Sequence, residues 1–329
     1  MRTTIIIYYL LSFTFGILGA LIICRFGKVL GLLDNPNERS SHSLAVPKGG
    51  GIGILAAFFV CSILLSISKS FWIPAGLLSL VSFWGDRSEI RPKKRLLLQF
   101  AAGTFLLIGM IAEKGGGLTA YALMPLMLVF VVGTTNFYNF MDGINGIAGV
   151  TAIISFGLIA FYASYSGIND STALPALAIC ISVSCIGFLP FNVPTARVFM
   201  GDVGSILLGF VFSGMVIHLS KNVLDFICLM SFLFLFYADE LITMGIRLKN
   251  KESLTKAHRR HLYQILANEY DISHWKISTG YGLFQLMIGI SILLVKNLGL
   301  FMVVSILILY SCFFAICSFI FRKKLHNFA

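Results

Sequence analysis

Four aspartates, Asp34, Asp86, Asp142 and Asp202, each stand at the edge of a long apolar run, beside glycines and asparagines. A carboxylate at such a boundary can cap a helix, worth about 1 kcal/mol. It can also hold a hard cation such as Mg²⁺ against the oxygens of a substrate phosphate. In NFYNFMDGINGIAG, Asn136, Asn139, Asp142 and Asn145 recur every three residues, so a helix through them gathers one polar stripe. That stripe costs free energy at the mouth of an apolar span unless its members are paired or solvated. In FNVPTARVFMGDVGS, Asp202 lies between Gly201 and Gly204 at the start of a new apolar run, and the same loop offers Asn192 and Phe199.

Basic groups accompany these carboxylates. The run from Arg91 to Arg95 follows Asp86 and reads mainly as an anchor at anionic headgroups. In AHRRHLYQIL, His258, His261 and Gln264 share a face if the stretch is helical, with Arg259 and Arg260 beside them. The two histidines lack a third local ligand for zinc, and a phosphate or leaving-group contact suits them better beside arginines. Arg39, His42 and Lys48 precede a triple glycine that opens a span. Its amides suit an anion, although a tight turn explains the glycines equally well. Together, Asp86, Asp142 and Asp202 with these cations predict metal-assisted chemistry on a phosphorylated substrate.

The elements that must position them are helices in a bilayer. Of 329 residues, 57% are hydrophobic and 12% charged, against roughly 25% charged in a soluble domain. Disorder is excluded by the same figures. The reading is an all-α polytopic membrane protein, a single transmembrane domain over residues 1–329. Spanning ~30 Å of hydrocarbon at ~1.5 Å per residue takes about 20 residues. Eleven apolar segments approach that length, near 4–24, 50–68, 71–84, 96–112, 118–135, 147–166, 172–189, 205–219, 224–244, 277–295 and 299–321. The third and eighth are short, which allows ten spans instead.

Alternate loops sort the Lys and Arg residues twenty to five, which puts the rich set in the cytoplasm, the N-terminus outside and the C-terminus inside. The cytoplasmic loops then fall near 25–49, 85–95, 136–146, 190–204 and 245–276, and they hold every polar string above. The net charge of +11 reflects that retention and not nucleic-acid binding. The seven cysteines form no CxxC pair and read as small core residues. A secondary transporter would place its ionisable groups near the bilayer midplane, often with internal repeats. Here they sit at span ends on one side, and no repeat is visible.

PNERSSH with PKGGG, NFYNFMDG with GIAG, VFMGDVGS and HRRHLYQ, in this order, resemble the polyprenyl-phosphate N-acetylhexosamine-1-phosphate transferase family. HRRHLYQ is similar to the subgroup serving O-antigen-type and teichoic-acid glycans rather than peptidoglycan. The resemblance implies that the phosphate of undecaprenyl phosphate attacks the β-phosphorus of a UDP-N-acetyl sugar, releasing UMP, in the bacterial inner membrane. It implies Mg²⁺, with Mn²⁺ as a substitute, and is compatible with a homodimer. It makes Asp202 a metal ligand and places Asp86 at the metal or the lipid phosphate. Asp142 and Asn139 would serve the nucleotide and catalytic pocket, and Phe199 would stack on uracil. His258, Arg259 and His261 would contact the diphosphate or sugar. Arg39, His42, Lys48, Asn145, Asn192 and Gln264 complete the substrate-binding candidates.

Two positions depart from the family pattern. Gly85-Asp86 replaces an Asp-Asp pair, and Asn145 stands where DGxDG has its second aspartate. The first paired aspartate has been assigned as a base for the lipid phosphate. A phosphate monoester with a second pKa near 6 is already largely ionised at neutral pH and needs little base. Weaker metal affinity or altered sugar preference is the expected consequence, and an inactive paralogue is the alternative.

Overall fold

The computed structural model describes residues 2–36, 41, 44–88, 90–166, 173–253 and 258–326. It is an all-α bundle, as the composition predicts, with one small hairpin in which β1 (Leu33–Asp34) pairs antiparallel with β2 (Val46–Pro47). Chain order begins with α1 (Arg2–Phe26), α2 (Ile52–Leu64), α3 (Lys69–Arg87), α4 (Pro92–Lys114) and α5 (Leu118–Phe140). It continues with α6 (Ile147–Tyr165), α7 (Leu174–Phe188), α8 (Asp202–Leu219), α9 (Val223–Met230) and α10 (Phe234–Lys249). The short α11 (Leu262–Asn268), then α12 (His274–Val295) and α13 (Leu300–His326) complete it.

Local sequence sets these boundaries. Pro92 occupies the first turn of α4, where its missing N–H costs nothing, and Gly115 ends that helix in the left-handed region at φ 66°. Ser68 caps α3 by accepting from the Ser70 nitrogen at 3.2 Å, and Asn222 caps α9 by accepting from the Asp225 nitrogen at 2.9 Å. The sequence of α8, DVGSILLGFVFSGMVIHL, is apolar on all sides, and such a helix belongs in the interior. It is almost wholly buried against α2, α3, α5 and α6. The peripheral helices expose large side chains instead, among them Phe301, Leu309, Ile316 and Phe319 on α13. A continuous apolar exterior of this kind suits lipid, not water.

Among the described residues, nine helices are long and apolar enough to cross a membrane, counting α9 and α10 as one. The two expected spans outside that set are α2 and α3. With 13 residues α2 falls short of a full crossing, and α3 carries Lys69, Asp86 and Arg87. Both nevertheless run between the two ends of the bundle. Gly51, before α2, touches the α8 start, while Ser68 and Ser70, at the other end of the pair, donate to Glu113 of α4. That far end also gathers Lys296 against Asp225 at 3.4 Å. Among the described residues eleven segments therefore run between the two ends, nine of them long and apolar enough to span, and the eighth is a full-length helix rather than a short one.

Candidate active site

The site is built around the start of α8. Gly201, the residue before it, holds φ 75°, a conformation that side chains resist. A Cβ there would lie 2.7 Å from Asp86 Oδ2 and from the Gly49 nitrogen. No side chain of its own loop caps α8; Asp86, at the end of α3, does so instead. Its Oδ1 accepts from the Asp202 nitrogen at 3.1 Å and its Oδ2 from the Val203 nitrogen at 3.3 Å. Two orphan amides of the helix end are satisfied by one buried carboxylate.

That arrangement leaves the Asp202 side chain facing the cleft. Asp202 Oδ2 accepts from Arg95 at 2.8 Å, and Oδ1 accepts from Asn139 Nδ2 at 2.9 Å. Asn139 also donates to Ser205 Oγ at 2.8 Å, which locks its amide. Asp142 lines the same cleft with no hydrogen bond to its carboxylate among the described residues. Burial first, then the charges of Asp202 and Asp86, hold its pKa well above the usual carboxylate range.

The expected polar stripe is only half helical. Because α5 ends at Phe140 and Gly146 starts α6 at φ 89°, Asp142 and Asn145 lie in the loop between. Asn136 turns away from the cleft, exchanging amide hydrogen bonds with Gln99 of α4 at 2.7 and 3.3 Å. Asn145 lines the cleft, donates from Nδ2 to the Pro194 carbonyl at 3.3 Å and offers its own carbonyl to Ser278 Oγ at 2.7 Å. Asn192 also lines it, but both ends of its amide are used. Its Oδ1 accepts from the Gly146 nitrogen at 2.6 Å, and its Nδ2 donates to the Val198 carbonyl at 2.9 Å.

The triple glycine does not present its amides to an anion, which corrects the expectation for that string. Gly49 and Gly50 donate to the Phe199 carbonyl at 3.2 and 2.9 Å, and Gly51 donates to the Met200 carbonyl at 2.9 Å. The glycines are needed because the backbones meet: a Cβ on Gly51 would lie 2.5 Å from Gly204 Cα. The pairing carries Lys48 and Phe199 into the cleft side by side, with Lys48 4.0 Å from Asp34. Arg39 and His42 lie outside the described residues.

The histidine string divides. His258 and Gln264 line the cleft; His261 and Arg259 do not. His258 Nδ1 accepts from the Arg260 nitrogen at 3.3 Å, and burial followed by the neighbouring His261, Arg247 and Arg260 lowers its pKa to about 4. His261 is buried behind it, 3.3 Å from Glu240 Oε2 and stacked on Tyr263. Gln264 Oε1 accepts from the His261 nitrogen at 3.3 Å. Arg259 pairs with Glu269 at 3.9 Å on the surface. The three positions His258, His261 and Gln264 share no face, because α11 begins only at Leu262.

Three contributors were not singled out from sequence. Asp239 accepts from the Leu262 and Tyr263 nitrogens at 2.8 and 3.4 Å, capping α11 as Asp86 caps α8. The pair Asp239-Glu240 inside an apolar run was the available signal, since intramembrane acids mark sites by default. Arg95 was hidden within a basic run that reads as an anchor. His274, which lines the cleft and accepts from the Asn145 nitrogen at 3.4 Å, had no local pattern to reveal it.

The cleft measures about 460 Å³, within the range of small-ligand pockets. Asp86, Asp142 and Asp202 come from separate loops and converge in it. Among the described residues no three His, Cys, Asp or Glu side chains are close enough to enclose a metal. Mg²⁺ needs less, one or two carboxylates completed by substrate phosphate and water. The unpartnered Asp142 carboxylate fits that donor set, as do the remaining lone pairs of Asp202 and Asp86, each of whose oxygens accepts one hydrogen bond. The arrangement can hold an anionic substrate through Lys48 and a bridging cation, at the mouth of a lipid-facing bundle.

Residues 68–220 match the model of glycosyl transferase family 4. The chain is similar to a probable undecaprenyl-phosphate N-acetylglucosaminyl 1-phosphate transferase of Bacillus subtilis, 24% identical with 95% of this chain and 91% of that one aligned. An undecaprenyl-phosphate alpha-N-acetylglucosaminyl 1-phosphate transferase of Thermotoga maritima is also 24% identical, over 82% and 85% of the two chains. A phospho-N-acetylmuramoyl-pentapeptide-transferase of Staphylococcus saprophyticus is 31% identical over 42% of this chain and 43% of its own length.

Proposed function

From the match of residues 68–220 to the model of glycosyl transferase family 4, we propose that the chain belongs to that family and transfers a sugar 1-phosphate from a UDP-N-acetylhexosamine to undecaprenyl phosphate. An oxygen of the lipid phosphate bonds to the β-phosphorus, the bond from that phosphorus to the bridging oxygen breaks, and UMP leaves. The observation that carries this reading is the convergence of Asp86, Asp142 and Asp202 with Lys48 and His258 in one cleft at one end of the bundle. A lipid phosphate at the interface and a soluble nucleotide can meet only at such a place.

Asp202 and Asp142 would hold Mg²⁺, or Mn²⁺ in its stead, and the ion when bound neutralises charge on the diphosphate. Asp86 positions Asp202 through the α8 amides, and Arg95 and Asn139 fix the Asp202 rotamer. Lys48 holds a substrate phosphate oxygen, Phe199 faces the base, and the neutral His258 ring offers a hydrogen bond to the diphosphate or sugar. The lipid phosphate, largely dianionic at neutral pH, attacks without a dedicated base. The site end faces the cytoplasm, which the twenty-to-five partition of Lys and Arg supports and which puts the N-terminus outside. The product initiates a cell-surface polysaccharide of the O-antigen type.

The test is purified protein in detergent with undecaprenyl phosphate, Mg²⁺ and a panel of UDP-sugars. UMP release from an N-acetylated donor, dependent on lipid and metal, is the expected result. Absence of UMP with every donor would overturn the reading and favour a non-catalytic paralogue, the alternative that Gly85 and Asn145 raise.

A further inference from the structure

A second cleft, of about 580 Å³, adjoins the first and shares Ser41, Asn145 and His274 with it. Its remaining polar wall comes from Thr195, Asn268, Asp271, Ser273 and Trp275, and no Lys or Arg is among the described residues that line it. The two compartments therefore differ in chemistry. The first carries carboxylates and Lys48, suited to a diphosphate and its cation. The second offers two amides, three hydroxyls, an imidazole, one carboxylate and an indole ring. Among the described lining residues a phosphate finds no Lys or Arg, Lys276 being engaged over the Trp275 ring at 5.8 Å from its centroid, whereas a neutral polyol finds donors, acceptors and an aromatic ring.

Two groups in the second cleft are left over by the fold, Ser41 Oγ and Asn268 Nδ2. Both are buried with no hydrogen-bond partner among the described residues, and a buried polar group left without a partner is destabilising. Sites built to hydrogen-bond a substrate hydroxyl or carbonyl leave such groups unpaired when empty. Trp275, at the start of α12, is about half exposed and flanks the same space. Asn145 stands at the junction, its backbone tied to His274 and Ser278 and its side-chain amide close to Pro194.

We propose that this second cleft receives the sugar ring of the nucleoside diphosphate sugar donor, so that Asn268, Trp275 and Asn145 determine which hexosamine is accepted. The proposal rests on the transferase reading for the identity of the donor, and it adds where the sugar lies. Binding of UDP-N-acetylglucosamine and of UMP to the purified protein with Mg²⁺, without lipid, tests it apart from turnover. UMP lacks the sugar and senses only the first cleft.

Asn268→Ala and Trp275→Ala are each expected to weaken UDP-N-acetylglucosamine roughly tenfold, about one hydrogen bond or stacking contact, and to leave UMP unchanged. Intact UMP binding in each variant also reports that the protein is folded. Thr195→Ala, at an exposed position, provides a second handle with the same expected split. Equal weakening of both ligands, or no change in either, would overturn the assignment. Donor binding that follows this split in a protein that releases no UMP would uphold the sugar cleft while removing the transferase reading.

Discussion

Asp86 Oδ1 lies 3.1 Å from the Asp202 backbone nitrogen, so one candidate carboxylate holds the residue that bears the other. The contact joins the last turn of α3 to the first of α8 across 116 residues of chain. Asp86 therefore acts on the site through Asp202, and its replacement should misplace a carboxylate more than remove one. Asp86→Asn puts an amide N–H against one of the two α8 amides it now accepts. The expected outcome is a loss of stability of about 1–3 kcal/mol together with a fall in kcat. Thermal unfolding in detergent and UMP release measured side by side check it; a fall in kcat without any loss of stability would contradict the capping role.

Asp202→Asn should separate the two effects. Asparagine has the same outline and can still accept from Asn139, while losing the charge that pairs with Arg95 at 2.8 Å. Turnover is expected to drop by at least ~100-fold, the scale of losing one electrostatic stabiliser, with the unfolding temperature nearly unchanged. The apparent Mg²⁺ requirement should shift to higher concentration in any residual activity. Near-normal turnover would exclude Asp202 from the metal site.

The contrast between these two aspartates shows what the sequence could and could not reveal. Apolar run lengths and the glycine-flanked aspartates were enough to find the bundle, its two ends and the convergence of three loops. Hydrogen-bond partners were not legible, because Asp86 and Asp202, or Asp239 and Leu262, meet through tertiary packing between segments with no shared periodicity. The triple glycine, for which an anion cradle and a tight turn stood equally open, was ambiguous for a related reason. Glycine signals that something comes close, and here the close neighbour is the backbone of residues 199–204 rather than an anion. His261 does not join His258 in the cleft because α11 starts at Leu262, four residues after His258, and the His261 ring lies against Glu240.

Gly85→Asp restores the acidic pair that the resemblance leads one to expect. A Cβ at Gly85 would meet Ile90 Cδ1 at 3.1 Å, the far end of a flexible side chain that can yield. The position lines a small cavity with Arg95 and Asp202, so a new carboxylate there has a cation at hand. Expression and melting temperature should be retained, and UMP release should stay within about threefold of the parent or rise, because the largely ionised lipid phosphate gains little from another base. A large loss of activity in a stably folded variant would show that the Gly85 side of Asp202 must stay open.

His258 should make the fold sensitive to acid. Its folded pKa is lowered to about 4 by burial and by His261, Arg247 and Arg260, while an unfolded histidine titrates near 6.5. Between those values the unfolded chain binds a proton that the folded one refuses, so stability falls as pH drops from about 6.5 toward 4 and is flat above. His258 is partly exposed, and solvent screening trims the size of the effect without changing its sign. The melting temperature of the protein should therefore decline on acidification through that window, and His258→Gln, which keeps an acceptor for the Arg260 amide, should make the decline shallower. An identical acid profile in the variant would assign the sensitivity to other groups, and an increase in stability on acidification would contradict the environment described for the ring.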